Sequence, residues 1–136
     1  MPENPDILLP WGPQQNNHHN VRVCCDLGGL TYDQKEVLAA CVKVESDFLN
    51  YRPDGTPITH KNIREDGSVG SIDYGIVQVN SRFHIGPGLD FPSVEYVLSH
   101  PQECVQWMVA YYRRYGHLNA WCSFTSGAYK EHLGKV

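Results

Sequence analysis

Residues 31–50 read TYDQKEVLAACVKVESDFLN. Thr31 and Gln34 stand at capping-box spacing, in which the hydroxyl accepts the N3 amide proton and the glutamine side chain returns to the cap amide. Apolar side chains then recur at Val37, Cys41, Val44 and Phe48, which is a helical period. The stretch predicts an amphipathic helix from near Thr31 to around Asn50, before Pro53. At about 100° per residue from Val37, the residues Cys41, Val44 and Phe48 fall within about 40°, Leu38 falls at about 100°, and Glu45 at about 80°. Glu45 thus lies inside the apolar arc. Desolvation there disfavours the carboxylate and raises its pKa, which is what a general acid working near neutral pH needs. The alternative is a side chain at the stripe's edge that snorkels to water or pairs with an arginine.

Downstream of this helix the period disappears. Between Tyr51 and Ser71 the turn dipeptides Asp54-Gly55 and Asp66-Gly67 flank the β-branched pieces Thr56 to Thr59 and Val69 to Ile72, predicting a small antiparallel hairpin or a long loop region. After the bend Gly86-Pro87-Gly88, a short helix is expected near Ser93 to Leu98. Ser99 with Gln102 marks the start of the clearest helix, whose stripe is Cys104, Trp107, Met108, Tyr111, Tyr112 and Tyr115 and whose stop is Gly116. Asn119 is placed to cap a last helix running to about Leu133. Upstream, residues 1–20 hold four prolines and the polar run Gln14 to Asn20, so they read as an irregular N-terminal arm. Residues 21–136 then form one α+β, mostly helical domain.

A chain of 136 residues with 41% hydrophobic and 19% charged residues buries enough surface for one core. Its formal charge of −4 offers no long-range attraction to nucleic acid, so no nucleic-acid partner is expected. No stretch approaches the roughly 18 apolar residues of a membrane span, and the start MPENPDILLPWGPQQ has neither the basic nor the apolar region of a signal peptide. Five cysteines, an odd number without a CxxC pair, predict buried or free thiols in a reducing compartment, with a single bridge as the alternative. His18, His19, Cys24 and Cys25 fit no zinc spacing, and neither metal nor other cofactor is expected.

The run Asp73-Tyr74-Gly75-Ile76-Val77-Gln78-Val79-Asn80-Ser81-Arg82 places an acid, two amides and a glycine directly after the turn-rich segment. One carboxyl on an apolar face and a second in a polar setting are the pair that glycoside hydrolysis uses as acid and nucleophile. Val44-Glu45-Ser46-Asp47-Phe48-Leu49-Asn50 resembles the ES-x-F-N helix end of lysozymes and lytic transglycosylases. Asp66-Gly67-Ser68 followed by Asp73 to Arg82 resembles their DGS…DYGI-x-QIN-SR segment, in the same order. Trp121 with Phe124-Thr125-Ser126-Gly127-Ala128-Tyr129 is similar to the W…YxxG element of the transglycosylase branch. The resemblance spans about residues 31–133.

This resemblance implies a lysozyme-like fold with a cleft between helices and a small β region. It implies a peptidoglycan glycosidase cleaving the β-1,4 bond between N-acetylmuramic acid and N-acetylglucosamine, with Glu45 as proton donor and Asp73 as nucleophile or stabilising carboxylate. Ser46, Tyr74, Gln78 and Asn80 match residues at or beside the family's substrate contacts, and neutral amides suit sugar hydroxyls and acetamido groups. Trp121 and Tyr129, with Tyr51 and Phe83, are candidates for stacking on sugar faces, whereas Trp107, in the helical stripe, reads as core before it reads as a stacking surface.

The interval between Glu45 and Asp73 exceeds that of animal-type lysozymes, which implies an insertion in the β region. The cysteines do not reproduce the animal disulfide set and point to the bacterial or phage side of the superfamily. The second segment also resembles transglycosylases, in which one glutamate suffices; Asp73 then only shapes the strand end, and the product is a 1,6-anhydro-muramic end. A catalytically inactive glycan-binding or structural relative is a further alternative. An acidic enzyme gains no steering to an anionic wall, which suggests bacteriolytic action after delivery by lysis or by a phage or secretion assembly.

Overall fold

The computed structural model describes residues 7–136. In chain order it contains α1 (Gln14–Leu27), α2 (Tyr32–Ser46), β1 (Thr59–Ile63), β2 (Val69–Tyr74), β3 (Val79–Asn80), α3 (Ser81–His84), α4 (Val94–Ser99), α5 (Pro101–Tyr115), α6 (Cys122–Thr125) and a 3-10 helix (Ala128–His132). The architecture is mostly helical α+β, with a three-stranded antiparallel sheet in the order β1-β2-β3. Among the described residues, no helix is long and apolar enough to cross a membrane.

Helix α2 runs through the centre of the molecule. Its capping box forms as the spacing requires: Gln34 N donates to the Thr31 hydroxyl at 3.2 Å, and Thr31 N donates to Gln34 Oε1 at 3.0 Å. Leu38, Ala39, Cys41 and Val42 are fully buried in a core that also takes in Val21 and Cys25 of α1, Val105 and Met108 of α5, and Ile76, Val77 and Val79 around β3. The helix ends at Ser46, short of Asn50, because Asp47 and Phe48 both adopt left-handed backbone, with φ of 55° and 63°. No glycine announces that stop.

Of the expected N-terminal arm, residues 1–6 lie outside the described residues, and the rest is corrected in part. Residues 14–20, expected to be irregular, form the first half of α1. Their polarity conceals a structural use, since Asn17 and Asn20 are buried and hold the preceding segment rather than facing water. Asn20 Nδ2 donates to the Leu9 carbonyl at 2.8 Å and its Oδ1 accepts from Leu9 N at 2.8 Å, while Asn17 Oδ1 accepts from Gly12 N at 2.9 Å. The last helix is corrected as well. Instead of one element through Leu133 there is the short α6, then Gly127 at φ 78°, then the 3-10 helix.

Helices α4 and α5 form close to where the sequence places them and Gly116 ends α5 at φ 73°, but Ser99 closes α4, its hydroxyl donating to the Glu95 carbonyl, and α5 starts at Pro101 after an uncapped His100. The hairpin is real and extends beyond the turn-rich segment, since β2 continues to Tyr74 and pairs with β3 on its far side. All five cysteines are free thiols; four are buried and Cys122 is exposed.

Candidate active site

The sheet supplies one wall of a cleft. Alternation along a strand sends every second side chain to one face, and the register sets His60 opposite Asp73, Asn62 opposite Ser71, and Asp73 opposite Asn80. These five side chains make a polar surface lining a cleft of about 640 Å³. Asn80 Nδ2 donates to Asp73 Oδ1 at 2.9 Å, and Asn62 Nδ2 donates to Asp73 Oδ2 at 3.2 Å. Both amides also donate to the Ser71 hydroxyl, at 3.0 and 3.1 Å. Asp73 is therefore held between two neutral donors, one on each neighbouring strand. His60 Nδ1 lies 3.8 Å from Asp73 Oδ2, beyond a hydrogen bond.

The helical wall carries the other acid. Glu45 reaches the same cleft from the last turn of α2, beside Val44, with Trp107, Trp121 and Cys122 among the lining residues. Among the described residues no hydrogen-bond donor touches its carboxyl. Burial, reinforced by the negative charge of Asp73, pushes the Glu45 pKa from an ordinary 4.5 up to about 7. The helical wheel puts Glu45 on the apolar side of α2 and the structure pairs it with no arginine, but of the residues that defined that arc Val44 is 38% exposed and Phe48 lies beyond the helix end. The two carboxyl groups share a cavity but not an environment. One has two amide donors and the other has none.

The loop between β2 and β3 is fixed by residues of the same sequence segments. Gly75 turns the chain at φ 80°, and a Cβ there would come within 2.6 Å of Asn50 Oδ1. That oxygen accepts from Ile76 N at 2.9 Å, while Asn50 Nδ2 donates to the Leu98 carbonyl at 2.5 Å. Ser46 Oγ donates to the Ile76 carbonyl at 2.6 Å, and Trp121 Nε1 donates to the Val77 carbonyl at 2.7 Å. The helix end that carries Glu45 is thereby bolted to the loop that follows Asp73.

Of the predicted site residues, Glu45, Asp73, Gln78, Asn80 and Trp121 line the cleft, whereas Ser46, Tyr74 and Tyr129 do not. Ser46 is buried and spends its hydroxyl on the loop. Tyr74 follows Asp73 on β2 and so faces the opposite side of the sheet, packing on the core. Tyr129 stacks on Phe124, with ring centroids 5.4 Å apart. Gln78, left-handed at φ 54°, donates its amide to the carbonyls of Gly75 and Ile58 at 2.8 and 3.2 Å, leaving its Oε1 for a ligand. Trp121 is 4% exposed and packed against Trp107 and Tyr111, too buried to lay a ring face on a sugar.

Sequence reasoning passed over His60, Asn62, Ser71 and His84. The first three belong to the site only through strand register. His84 donates or accepts at Nδ1 with Asp90 Oδ2 at 2.7 Å and sits edge-on to Trp107 at 4.8 Å, beside Phe83, whose ring is 62% exposed at the cleft. Exposed aromatic surface next to amides and carboxyls is suited to the alternating apolar and polar faces of a sugar ring. The chain matches no protein-family model and no curated protein.

Proposed function

We propose that this chain is a lysozyme-like glycosidase that cleaves the β-1,4 bond between N-acetylmuramic acid and N-acetylglucosamine in peptidoglycan. The observation that carries the reading is the division between the two carboxyls of one cleft: a desolvated Glu45 that titrates near 7, and an Asp73 held by Asn62 and Asn80. Such a pair separates a desolvated carboxyl able to give a proton from a second carboxyl held by amide hydrogen bonds, the division of roles that lysozymes exemplify. The likeness of the segments around Glu45 and Asp73 to those of lysozymes and lytic transglycosylases supplies the substrate class.

In this reading Glu45 gives its proton to the glycosidic oxygen as the bond to the anomeric carbon breaks. Asp73 stabilises the positive charge developing on the sugar, or bonds to the anomeric carbon. Water then attacks that carbon, releasing Asp73 as carboxylate where it had bonded, and gives its proton to the Glu45 carboxylate, so the product carries a reducing muramic end. The amide oxygen of Gln78 is available to a sugar hydroxyl or acetamido N–H.

A second reading is favoured by one feature. Both oxygens of Asp73 already accept hydrogen bonds from neighbouring strands, which suits a residue that shapes the strand end better than a reacting carboxylate. Glu45 alone would then protonate the leaving oxygen and, as base, direct the muramic acid's own 6-hydroxyl onto the anomeric carbon, as in lytic transglycosylases. Digestion of purified peptidoglycan followed by mass spectrometry separates the readings. Reducing ends support the hydrolase, ends lighter by one water support the transglycosylase, and no soluble fragments at all refute both. Delivery to the wall by lysis or by a phage or secretion assembly belongs to the same proposal.

A further inference from the structure

The residues immediately behind Glu45 are held in an unusual conformation. Asp47 and Phe48 follow α2 in left-handed backbone, at φ 55° and 63°, a region that strains any residue bearing a Cβ. Two such residues in succession persist only if the surroundings over-determine them. The support comes from α1, none of whose residues lines the cleft. Asn17 Nδ2 donates to the Phe48 carbonyl at 2.8 Å, and Gln14 Nε2 donates to the Asp47 carbonyl at 2.9 Å. The His18 ring meets the buried Phe48 ring edge-on at 4.8 Å.

Asn17 is the centre of this arrangement. It is 2% exposed, and its amide is fully engaged: Oδ1 accepts from Gly12 N at 2.9 Å, and Nδ2 donates to the Gly12 carbonyl at 3.2 Å as well as to Phe48. A buried amide with every partner in place fixes the groups around it, because leaving any of them unpaired is costly. Asn20, one turn further along α1, makes an instructive contrast. It is equally buried and holds the same N-terminal segment through Leu9, but it does not reach the turn behind Glu45.

We propose that Asn17 is a positioning residue for Glu45: by holding the Phe48 carbonyl it fixes the left-handed turn, and with it the helix end from which the Glu45 carboxyl enters the cleft. The inference rests on the role given to Glu45 above. Release of the turn lets the last turn of α2 fray and admits water to Glu45. Asp73 and His60 from the sheet, His84 from α3, Cys122 from α6 and Cys41 on α2 itself are the titratable groups around that position, and none of them contacts Asn17.

The test is a carbon-13 NMR titration of the Glu45 carboxyl in the whole chain, the resonance being assigned by its loss in Glu45→Gln. Asn17→Ala is expected to lower the midpoint by at least about half a pH unit, since rehydration stabilises the charged form. Gln14→Ala, on the exposed side of the same turn, moves it less in the same direction, and Asn20→Ala leaves it in place even where it costs as much stability. With soluble peptidoglycan fragments, Asn17→Ala lowers kcat by about tenfold and changes KM less than twofold, the pattern of a lost transition-state interaction.

An unmoved midpoint in Asn17→Ala, or an equal shift in Asn20→Ala, overturns the proposal. If Asn17→Ala does not fold, Gln14→Ala decides: a downward shift supports the proposal and an unmoved midpoint overturns it. Because the titration needs no substrate, a wild-type chain inert toward peptidoglycan refutes the proposed function without touching this result.

Discussion

Asn80 donates to Asp73 across the β2-β3 register at 2.9 Å, and the same asparagine caps α3, its Oδ1 accepting from Arg82 N and Phe83 N at 3.0 and 3.2 Å. One side chain thus orients the sheet carboxylate with its nitrogen and anchors the aromatic lip of the cleft with its oxygen. The two duties can be separated. Asn80→Asp keeps a capping oxygen and removes the donor, so it should lower peptidoglycan cleavage by between about 10- and 100-fold, the scale of a misplaced reacting group. Asn80→Ala loses the cap as well, at about 1 kcal/mol more. Chemical denaturation beside turnover assays reads both effects, and full activity in Asn80→Asp would remove Asp73 from the mechanism.

The pH dependence follows from Glu45. Its pKa is raised by burial to about 7 from an ordinary 4.5, so the native state holds the proton more tightly than the unfolded chain. The stability this lends is complete below about pH 4.5 and is lost as pH rises through about 7. In the proposed mechanism cleavage has the same sign, since the protonated form would be the donor: kcat/KM should fall with an alkaline limb near 7. Denaturation midpoints and rates measured across that interval test the two statements, and Glu45→Gln should flatten the stability change over it.

Gly75 makes a test of the loop. Gly75→Ala forces a Cβ to within 2.6 Å of Asn50 Oδ1 at a backbone φ of 80°, whereas Gly67→Ala, at φ 86°, meets nothing within 4 Å. Gly67→Ala carries the conformational cost alone, of order 1 kcal/mol. Gly75→Ala should cost at least about twice that, because Asn50 must also give up a buried hydrogen bond. Equal losses of unfolding free energy for the two variants would contradict the bolting of loop to helix end.

How far these features were readable depended on whether their cause was local. Glu45 was visible because helical geometry converts spacing directly into facing, and a single acid inside an apolar arc stands out. The capping box at Thr31 and the stop at Gly116 were visible for the same reason. The left-handed turn at Asp47 and Phe48 was not, since no glycine marks it and its support lies in Asn17, some thirty residues earlier. The polar face of α1 concealed a helix because its asparagines satisfy a neighbouring backbone instead of facing solvent. Asn62 and His60 look like ordinary polar strand residues until pairing sets them beside Asp73. Ser46 and Trp121, read from the sequence as substrate contacts, instead serve the Ile76-Val77 backbone, because their polar atoms point into the loop rather than the cleft.

In the proposed function the Glu45 carboxyl, desolvated in the cleft it shares with Asp73, is the proton donor for glycosidic cleavage. The most direct measurement is the rate at which soluble muropeptides are released from purified bacterial peptidoglycan by the wild-type chain and by Glu45→Gln, near pH 6, with the fold of both verified by circular dichroism. The substitution keeps shape and volume and removes only the transferable proton, so a folded Glu45→Gln should fall below about one hundredth of the wild-type rate, the lower end of what a positioned acid contributes. Release by folded Glu45→Gln at more than about a tenth of the wild-type rate would contradict the assignment of that carboxyl as general acid.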